Sequence, residues 1–410
     1  MKRHCLILGL LCLALAASAQ RQCSATPPSA DSWVGTFATA PEYTGPTDMP
    51  QHIGLSGNTL RQVVRMSLGG RRLKMELSNA FSDEPVEIRS VYVADAADSS
   101  AIVAGSVRYL SFGGKRSVTI AAGKTVLSDP LDFALRPLQR LAVTVTYGAS
   151  TPVHMTSHRG SRTFSYIAKG EVKPGHRFRT AERLAHWYNL TKVCVESDAT
   201  AVAVLGNSLT DGRGSTTDAQ NRWPDRMAEA LGGATGVLNL GIGANCVLRG
   251  GISQPAQERF DRDILGQDGL EAVIVFQGTN DIGLSQGNSE QVAAELIEAY
   301  QTLAAKAHAQ GLKAYVATIT PFRGNSWYSL FHEAARQTVN EWIRHNTAFD
   351  GVVDFDRLVR DPQQPDRLRP DYSDDWLHLN PVGYEAMGRY AAQCLPVGNA
   401  VTQRQKQDNQ

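Results

Sequence analysis

The chain has 410 residues, of which 42% are hydrophobic and 20% are charged, and its formal net charge is +1. This composition is typical of a globular protein with a sizeable core, and the length predicts two or three domains of roughly 100–200 residues each. A net charge so close to zero gives no electrostatic reason to expect a nucleic-acid partner or an anionic membrane surface.

The N-terminus has the pattern of an export signal. Lys2 and Arg3 are basic, an apolar stretch runs from Leu6 to about Ala16, and residues 17–19 (Ala-Ser-Ala) fit the small-x-small cleavage rule. The apolar stretch is shorter than the roughly 20 residues of a membrane-spanning helix, and no later segment could span a bilayer. Residues 1–19 therefore predict a cleavable signal peptide and a secreted or periplasmic protein.

Four cysteines remain beyond that signal, namely Cys23, Cys194, Cys246 and Cys394. An exported protein can keep disulfides, and four cysteines allow three complete pairings, among which the sequence does not choose. Buried free thiols are an equal alternative. None of the spacings is typical of a zinc site.

The region from about Trp33 to Tyr166 alternates apolar and polar residues. Around Gly69-Gly70, the apolar positions of residues 64–68 and 73–77 predict a β-hairpin with one buried face. Further alternating runs follow, separated by turn signals. The pattern predicts an all-β sandwich of jelly-roll type, assigned to residues 25–190.

From about Cys194 onward, strand and helix patterns alternate. Five apolar runs predict buried parallel strands, at Ala201–Gly206, Val237–Ile242, Glu271–Gly278, Lys313–Thr320 and Gly351–Phe355. Helical stretches lie near Trp223–Leu231, Pro255–Leu265, Ser289–Gln310 and Tyr328–Asn346, and a last helix follows Asn380. The prediction is a three-layer α/β domain over residues 191–398, followed by a flexible tail over residues 399–410.

Candidate site residues follow the ends of the first three predicted parallel strands, where ligands bind in such sheets. Ser208 follows the first strand, Ala244 lies in the glycine turn after the second, and Asn280 follows the third. Asp375 and His378 precede the last helix. Each has a structural interpretation when taken alone, since Ser208 suits a turn and Asn280 a helix N-cap.

Together these residues supply the parts of an acyl-transfer site. Ser208 is the predicted nucleophile, and His378 is the base that removes its proton. Asp375 is expected to orient the imidazole without becoming protonated. The backbone N–H groups of Ser208 and Ala244 and the Asn280 amide are the predicted oxyanion hole.

These segments resemble the sequence blocks of the SGNH, or GDSL, hydrolase superfamily, over about Cys194 to Leu395. The stretch of residues 207–231 and the preceding β region are further similar to a secreted bacterial subfamily of arylesterases or acylhydrolases linked to plant-polysaccharide breakdown. The resemblance implies a flavodoxin-like fold, no metal or other cofactor, and deacylation of small-molecule or oligosaccharide esters.

The chain departs from the superfamily pattern at two positions. Asn207 stands where an Asp usually precedes the nucleophile, and that residue is expected to support the turn rather than take part in the chemistry. Ala244 stands at the oxyanion glycine, where its N–H serves equally well provided that φ is not positive. With a positive φ, the donor would shift by one residue.

Two other functions fit parts of the sequence. A catalytically inactive carbohydrate-binding protein would keep the β domain as a sugar-binding module, yet every catalytic residue type is present in order. A lipase or lysophospholipase would need a long apolar groove or lid, which no loop predicts. Four aromatic residues lie in or near loops expected at the mouth, where core packing is an equal alternative: Trp223, Trp327, Tyr328 and Trp376.

The segment between the two predicted domains, Thr180–Val195, is not a linker by composition. It lacks Pro and Gly and carries several apolar residues, which must be buried against something. We therefore expect a fixed interface, with the β domain forming one wall of the active-site mouth.

Overall fold

The computed structural model describes residues 32–395. The predicted signal peptide, Cys23 and the predicted tail lie outside this range. The first fifteen strands run from β1 (Trp33–Ala38) through β2 (Glu42–Tyr43), β3 (Thr59–Arg65), β4 (Gly70–Ser78), β5 (Val86–Asp95), β6 (Arg108–Tyr109), β7 (Val118–Ile120), β8 (Thr125–Leu127), β9 (Leu131–Leu135), β10 (Arg140–Tyr147), β11 (Thr156–His158), β12 (Ser165–Ala168), β13 (Glu182–Leu184) and β14 (Trp187–Tyr188) to β15 (Leu190–Glu196).

These strands form three antiparallel sheets. One has the order β1-β15-β4-β8, with β9 also paired to β4, and a larger one has the order β13-β12-β3-β10-β5-β6, with β7 paired to β5. The third is the short sheet β14-β11-β2. The inward faces of the two larger sheets share one hydrophobic core, to which Leu73 and Met75 of β4 and Leu141 and Val143 of β10 contribute. The predicted antiparallel all-β region is confirmed.

The predicted hairpin across Gly69-Gly70 is wrong. β3 pairs with β10 and β12, whereas β4 pairs with β15, β8 and β9, so the consecutive strands belong to different sheets. Between them the N–H of Met66 donates to Gln139 O and that of Ser67 to Thr36 O, as the chain crosses from one sheet to the other. Alternation reports which face of a strand is buried, and here both sheets bury that face in the same core. It therefore does not identify the partner strand.

The remaining strands form a parallel sheet. They are β16 (Ala201–Gly206), β17 (Gly236–Gly241), β18 (Leu270–Phe276), β19 (Lys313–Ala317) and β20 (Gly351–Val353), in the spatial order β17-β16-β18-β19-β20. This is the 2-1-3-4-5 order of flavodoxin-like folds, in which ligands bind where the strand order reverses, beside the first strand.

Helices cover both faces of this sheet, as predicted. They are α1 (Ser208–Asp211), α2 (Trp223–Ala230), α3 (Ala256–Phe260), which continues as a π-helical turn over Asp261–Leu265, α4 (Thr279–Gly283), α5 (Ser289–Ala309), α6 (Leu330–His345), α7 (Phe355–Val359) and α8 (Pro381–Cys394). Residues of α3, α5 and α6 share the core on one face, and those of α2, α7 and α8 form a second core on the other. The predicted three-layer α/β fold is confirmed.

The all-β region packs directly on the parallel sheet, within one compact unit. A Cβ on Gly35 of β1 would lie 2.7 Å from Leu238 of β17, so glycine permits the close approach. Lys192 of β15 pairs with Asp268 at 2.7 Å, and Val237 N–H donates to Ser67 Oγ at 2.9 Å. The predicted boundary after residue 190 falls at the start of β15, which belongs to an antiparallel sheet. The division into domains itself stays a prediction.

Cys194, Cys246 and Cys394 are free thiols, and the first two are buried. No disulfide therefore joins the cysteines within the described range. Between residues 32 and 395, no helix combines the length and the apolar character needed to cross a bilayer.

Candidate active site

Ser208 lies at the carboxyl end of β16. This strand stands between β17 and β18, where the strand order of the sheet reverses. The strand ends at Gly206, Asn207 adopts an extended conformation, and Ser208 begins the single turn of α1. Asn207 Oδ1 accepts the N–H of Leu209 at 3.0 Å, which caps the turn. Asn207 thus supports the turn through its side-chain oxygen, as expected for this departure from the superfamily pattern.

His378 and Asp375 reach Ser208 from the loop before α8. Ser208 Oγ lies 2.9 Å from His378 Nε2, and His378 Nδ1 lies 2.7 Å from Asp375 Oδ2. Asp375 Oδ1 also accepts the backbone N–H groups of His378 and Leu377. The structure therefore brings two of the candidate residues, 170 positions apart in sequence, into hydrogen-bond contact.

The geometry fixes which atoms carry protons. An ionised carboxylate only accepts hydrogen bonds, so Nδ1 of His378 donates to Asp375 and Nε2 is left to accept from the Ser208 hydroxyl. Partial burial would raise the pKa of Asp375, but the hydrogen bonds from His378 and Leu377 outweigh it and hold that pKa well below its usual range. Asp375 thus stays ionised and keeps the imidazole in the tautomer that a general base requires.

The residues of the predicted oxyanion hole follow the ends of β16, β17 and β18. The Asn280 amide donates one hydrogen bond to Asn245 O at 2.7 Å, and Asn280 lines the same pocket as Ser208. Ala244 has a φ of +55°, the condition under which the donor was expected to shift. Gly243 and Ala244 both line the pocket, and no described residue accepts a hydrogen bond from either N–H. Both adjacent N–H groups are thus candidates for the predicted oxyanion donor from this turn.

Two buried charged residues that the sequence did not single out hold these loops in place. The guanidinium of Arg259, fully buried, donates to Gly206 O, Leu240 O and Asn245 Oδ1 and so connects the ends of β16 and β17. Asp281 accepts the N–H groups of Val247 and Leu248, and its burial raises its pKa to about 6. Both sets of contacts join residues that are far apart in sequence, so a local pattern does not predict them. The Asn-Asp pair at residues 280–281 is the one local signal that points to Asp281.

A pocket of about 380 Å³ opens above Ser208. Its wall on one side comes from the all-β region, through Glu42, Arg159, Gly160 and Arg162. Loop residues of the α/β region also line the pocket: Ile252, Asn325, Ser326, Trp327 and Leu377. The expected contribution of the β region to the active-site mouth is thus present in the structure.

Of the four aromatic residues expected near the mouth, only Trp327 lines the pocket. Trp223 is fully buried against Phe276 and Phe355, and the Tyr328 hydroxyl donates to Asp366. Trp376 packs beneath the Arg367 guanidinium. For Trp223 the alternative of core packing is correct. Among the described residues no group of three or more His, Cys, Asp or Glu side chains is arranged to hold a metal ion.

Comparison with known proteins finds a match within the α/β region. Residues 204–386 match the sequence profile of the GDSL-like Lipase/Acylhydrolase family. The fold and this match define the class of the protein as a carboxylic ester hydrolase. The matched residues are similar to GDSL-like lipases and acylhydrolases, and they include most of the parallel sheet together with Ser208, Asp375 and His378.

Solved structures with similarity to the chain come from several bacteria. A GDSL-like lipase from Bacteroides thetaiotaomicron VPI-5482 is 19% identical, covers 49% of this chain and 89% of its own, and gives a TM-score of 0.38. A carbohydrate acetylesterase family member from Sinorhizobium meliloti is 16% identical over 47% of this chain and 96% of its own, with a TM-score of 0.38. A search of curated proteins found no match.

Proposed function

We propose that this protein is an exported serine esterase that removes small acyl groups, with acetyl as the expected acyl group and plant carbohydrate as the expected alcohol. The observation that carries the proposal is the continuous line of hydrogen bonds from Ser208 Oγ to His378 and on to Asp375. The family match of residues 204–386 supports the same reaction class.

The chemistry follows from the positions of these groups. His378 takes the hydroxyl proton as Ser208 Oγ attacks the ester carbonyl carbon, and the carbonyl oxygen becomes an oxyanion. The Asn280 amide and the N–H groups of Ser208 and the 243–244 turn stabilise that charge. His378 then gives its proton to the departing alcohol, which leaves an acyl group on Ser208. Water, deprotonated by His378, hydrolyses this acyl-enzyme.

The pocket favours a small, polar ester. Its volume of about 380 Å³ lies at the small end of the range for ligand pockets, about 300–1,000 Å³. Glu42, Arg159 and Arg162 line one wall, where a long alkyl chain would strip water from charged groups without replacing its hydrogen bonds. These features argue against the lipase or lysophospholipase alternative.

A catalytically inactive sugar-binding protein is the remaining alternative. Such a protein would have no need for a hydroxyl, an imidazole and a carboxylate aligned within hydrogen-bond distance. The alignment in this site therefore favours the enzyme over the binding protein. Export rests on the predicted signal peptide over residues 1–19 and belongs to the proposal.

The test is a panel of p-nitrophenyl acetate, butyrate and octanoate, together with acetylated xylan oligomers. Wild-type protein should hydrolyse acetate fastest and release acetate from the oligomers, and Ser208→Ala should retain no more than a few per cent of kcat. Ser285→Ala serves as a matched control, because the hydroxyl of that buried serine is hydrogen-bonded to the Ser289 hydroxyl and does not line the pocket above Ser208. A preference for octanoate would favour the lipase, and no hydrolysis of any ester would contradict the proposal.

A further inference from the structure

A buried carboxylate lies at the other end of the single helical turn that carries Ser208. Asp211 ends α1, is 1% exposed and borders the same pocket as Ser208. It is not part of the line of hydrogen bonds from Ser208 to Asp375. Charged groups this deeply buried require partners of opposite charge, and the two residues that form ion pairs with Asp211 come from the all-β region.

The first partner is His158, which ends β11. Its Nε2 lies 3.0 Å from Asp211 Oδ1, and its Nδ1 lies 3.0 Å from the carbonyl oxygen of Ala40. Both of these oxygens accept hydrogen bonds when Asp211 is ionised, so both ring nitrogens must donate and His158 is an imidazolium. Burial alone would lower the pKa of His158, but Asp211 and Glu42 outweigh it and raise that pKa.

The second partner is Arg162, whose Nη2 donates to Asp211 Oδ2 at 2.6 Å. Between His158 and Arg162 the chain passes so close to the carboxylate that a Cβ on Gly160 would lie 2.0 Å from Asp211 Oδ2. The two oxygens of Asp211 are therefore both held by one short segment of the all-β region, residues 158–162.

A helix of one turn cannot hold its own conformation, because it fixes several backbone angles for very few hydrogen bonds. α1 therefore depends on contacts with its surroundings. At its start, Asn207 caps the Leu209 N–H, and in its middle Asn239 donates to Thr210 O at 2.8 Å. At its end, the Asp211 carboxylate is hydrogen-bonded to His158 and Arg162. The carbonyl of Ser208 accepts the N–H groups of Gly212 and Arg213, so the end of the turn is bonded to the residue that bears the nucleophile.

We propose that Asp211 is a positioning residue, through which His158 and Arg162 of the all-β region fix the turn that aims Ser208 at His378. The all-β region then completes the catalytic geometry as well as lining the pocket. This inference rests on the proposed esterase function. The wild-type rate tests that function, whereas a loss confined to the variants below tests the inference.

The experiment compares Asp211→Asn with wild type in hydrolysis of p-nitrophenyl acetate and in the rate at which a fluorophosphonate labels Ser208. The substitution keeps the side-chain volume and removes the charge that His158 and Arg162 hold. A displacement of the nucleophile by about 1 Å can lower a rate by about 100-fold, so kcat and the labelling rate should both fall by about that factor. KM should change less than kcat, because the substitution keeps the side-chain volume of residue 211 and most of the pocket lining belongs to other residues.

Three further variants separate positioning from folding. Arg162→Met removes one partner that is already partly exposed, and should lower kcat while the protein stays folded, with activity partly restored in Arg162→Lys. Asp356→Asn is the matched control, because Asp356 is an equally buried carboxylate held by Arg336 and Arg344 away from the pocket. It should lower the melting temperature with kcat close to the wild-type value. Wild-type kcat and labelling rate in both Asp211→Asn and Arg162→Met would overturn the inference.

Discussion

At the scale of single residues, two departures from the superfamily pattern have different physical consequences. Asn207 offers the same side-chain oxygen to the Leu209 N–H that an aspartate would offer, so it loses the charge and keeps the cap. Ala244 has a φ of +55°, a backbone conformation in which any residue with a Cβ is strained. The first departure is compatible with the function of the turn, and the second has a cost in stability.

Ala244→Gly should therefore stabilise the protein. Removing a Cβ from the left-handed region relieves about 1 kcal/mol of strain, although the greater freedom of glycine in the unfolded chain offsets part of it. The backbone N–H is kept, so kcat should stay close to the wild-type value. Urea unfolding and hydrolysis of p-nitrophenyl acetate check the two parts. A less stable protein with strongly reduced kcat would show that the alanine side chain itself is needed.

The structure brings together candidate site residues that the sequence motifs single out. Ser208, Asn280, Asp375 and His378 each lie in a short motif beside a strand or helix end, and strand ends in a parallel sheet converge on one edge. Arg259 and the partners of Asp211 could not be predicted in this way, because their contacts join residues from distant elements. His158 and Asp211, for example, are 53 positions apart.

At the scale of secondary structure elements, the sequence predicted the strands of the parallel sheet and their arrangement better than it predicted the strand pairing of the antiparallel sheets. Each parallel strand is a short apolar run followed by a helix, and the right-handed crossover that such units require leaves few possible arrangements. In the all-β region, alternation located β3 and β4 but not their partners, because both sheets face one core. The two short helices α4 and α7 were not predicted, since five residues give too little periodicity.

A substitution at Gly160 tests how closely the all-β region must approach α1. In Gly160→Ala the new Cβ would lie 2.0–2.3 Å from the Asp211 carboxylate, so one of the two segments must move. Overpacking of this kind typically costs about 1–3 kcal/mol, and the displaced carboxylate should also lower kcat.

Gly54→Ala is the matched control in the same region, because a Cβ there has no neighbour within 4 Å. Denaturant unfolding should show a loss of stability for Gly160→Ala and almost none for Gly54→Ala. Equal stability of the two variants would mean that the approach of residues 158–162 to Asp211 is looser than the structure indicates.

At the scale of the whole molecule, a buried cluster of charges joins the all-β region to the α/β region. His158 faces Asp211 and Glu42 as opposite charges, with Arg162 bound to the same carboxylate and His186 nearby. The apolar core is also continuous across the two regions. The strength of their association should therefore depend on the charge of His158.

The pH dependence of stability follows from the raised pKa of His158. A histidine whose pKa is higher in the folded than in the unfolded protein contributes stability below its ordinary value of 6.5, and this contribution is lost as pH rises through the folded pKa. The difference in melting temperature between wild type and His158→Gln should thus be larger at about pH 6 than at about pH 9.

Other titrating groups are common to both proteins, so they largely cancel in that difference. His345→Gln, which alters a histidine exposed on α6, should show little difference at either pH. Scanning calorimetry over this range gives the measurement. A wild-type advantage that grows toward high pH would show that His158 is neutral in the folded protein.

The central claim is that Ser208, activated by His378, forms a covalent acyl-enzyme. The most direct test is mass spectrometry of the protein after reaction with a fluorophosphonate, followed by peptide mapping, with His378→Ala in parallel. One adduct located on Ser208 in the wild-type protein and a strongly reduced labelling rate in His378→Ala are the predicted results. An adduct on another serine, or equal labelling of His378→Ala, would contradict the assignment of nucleophile and base.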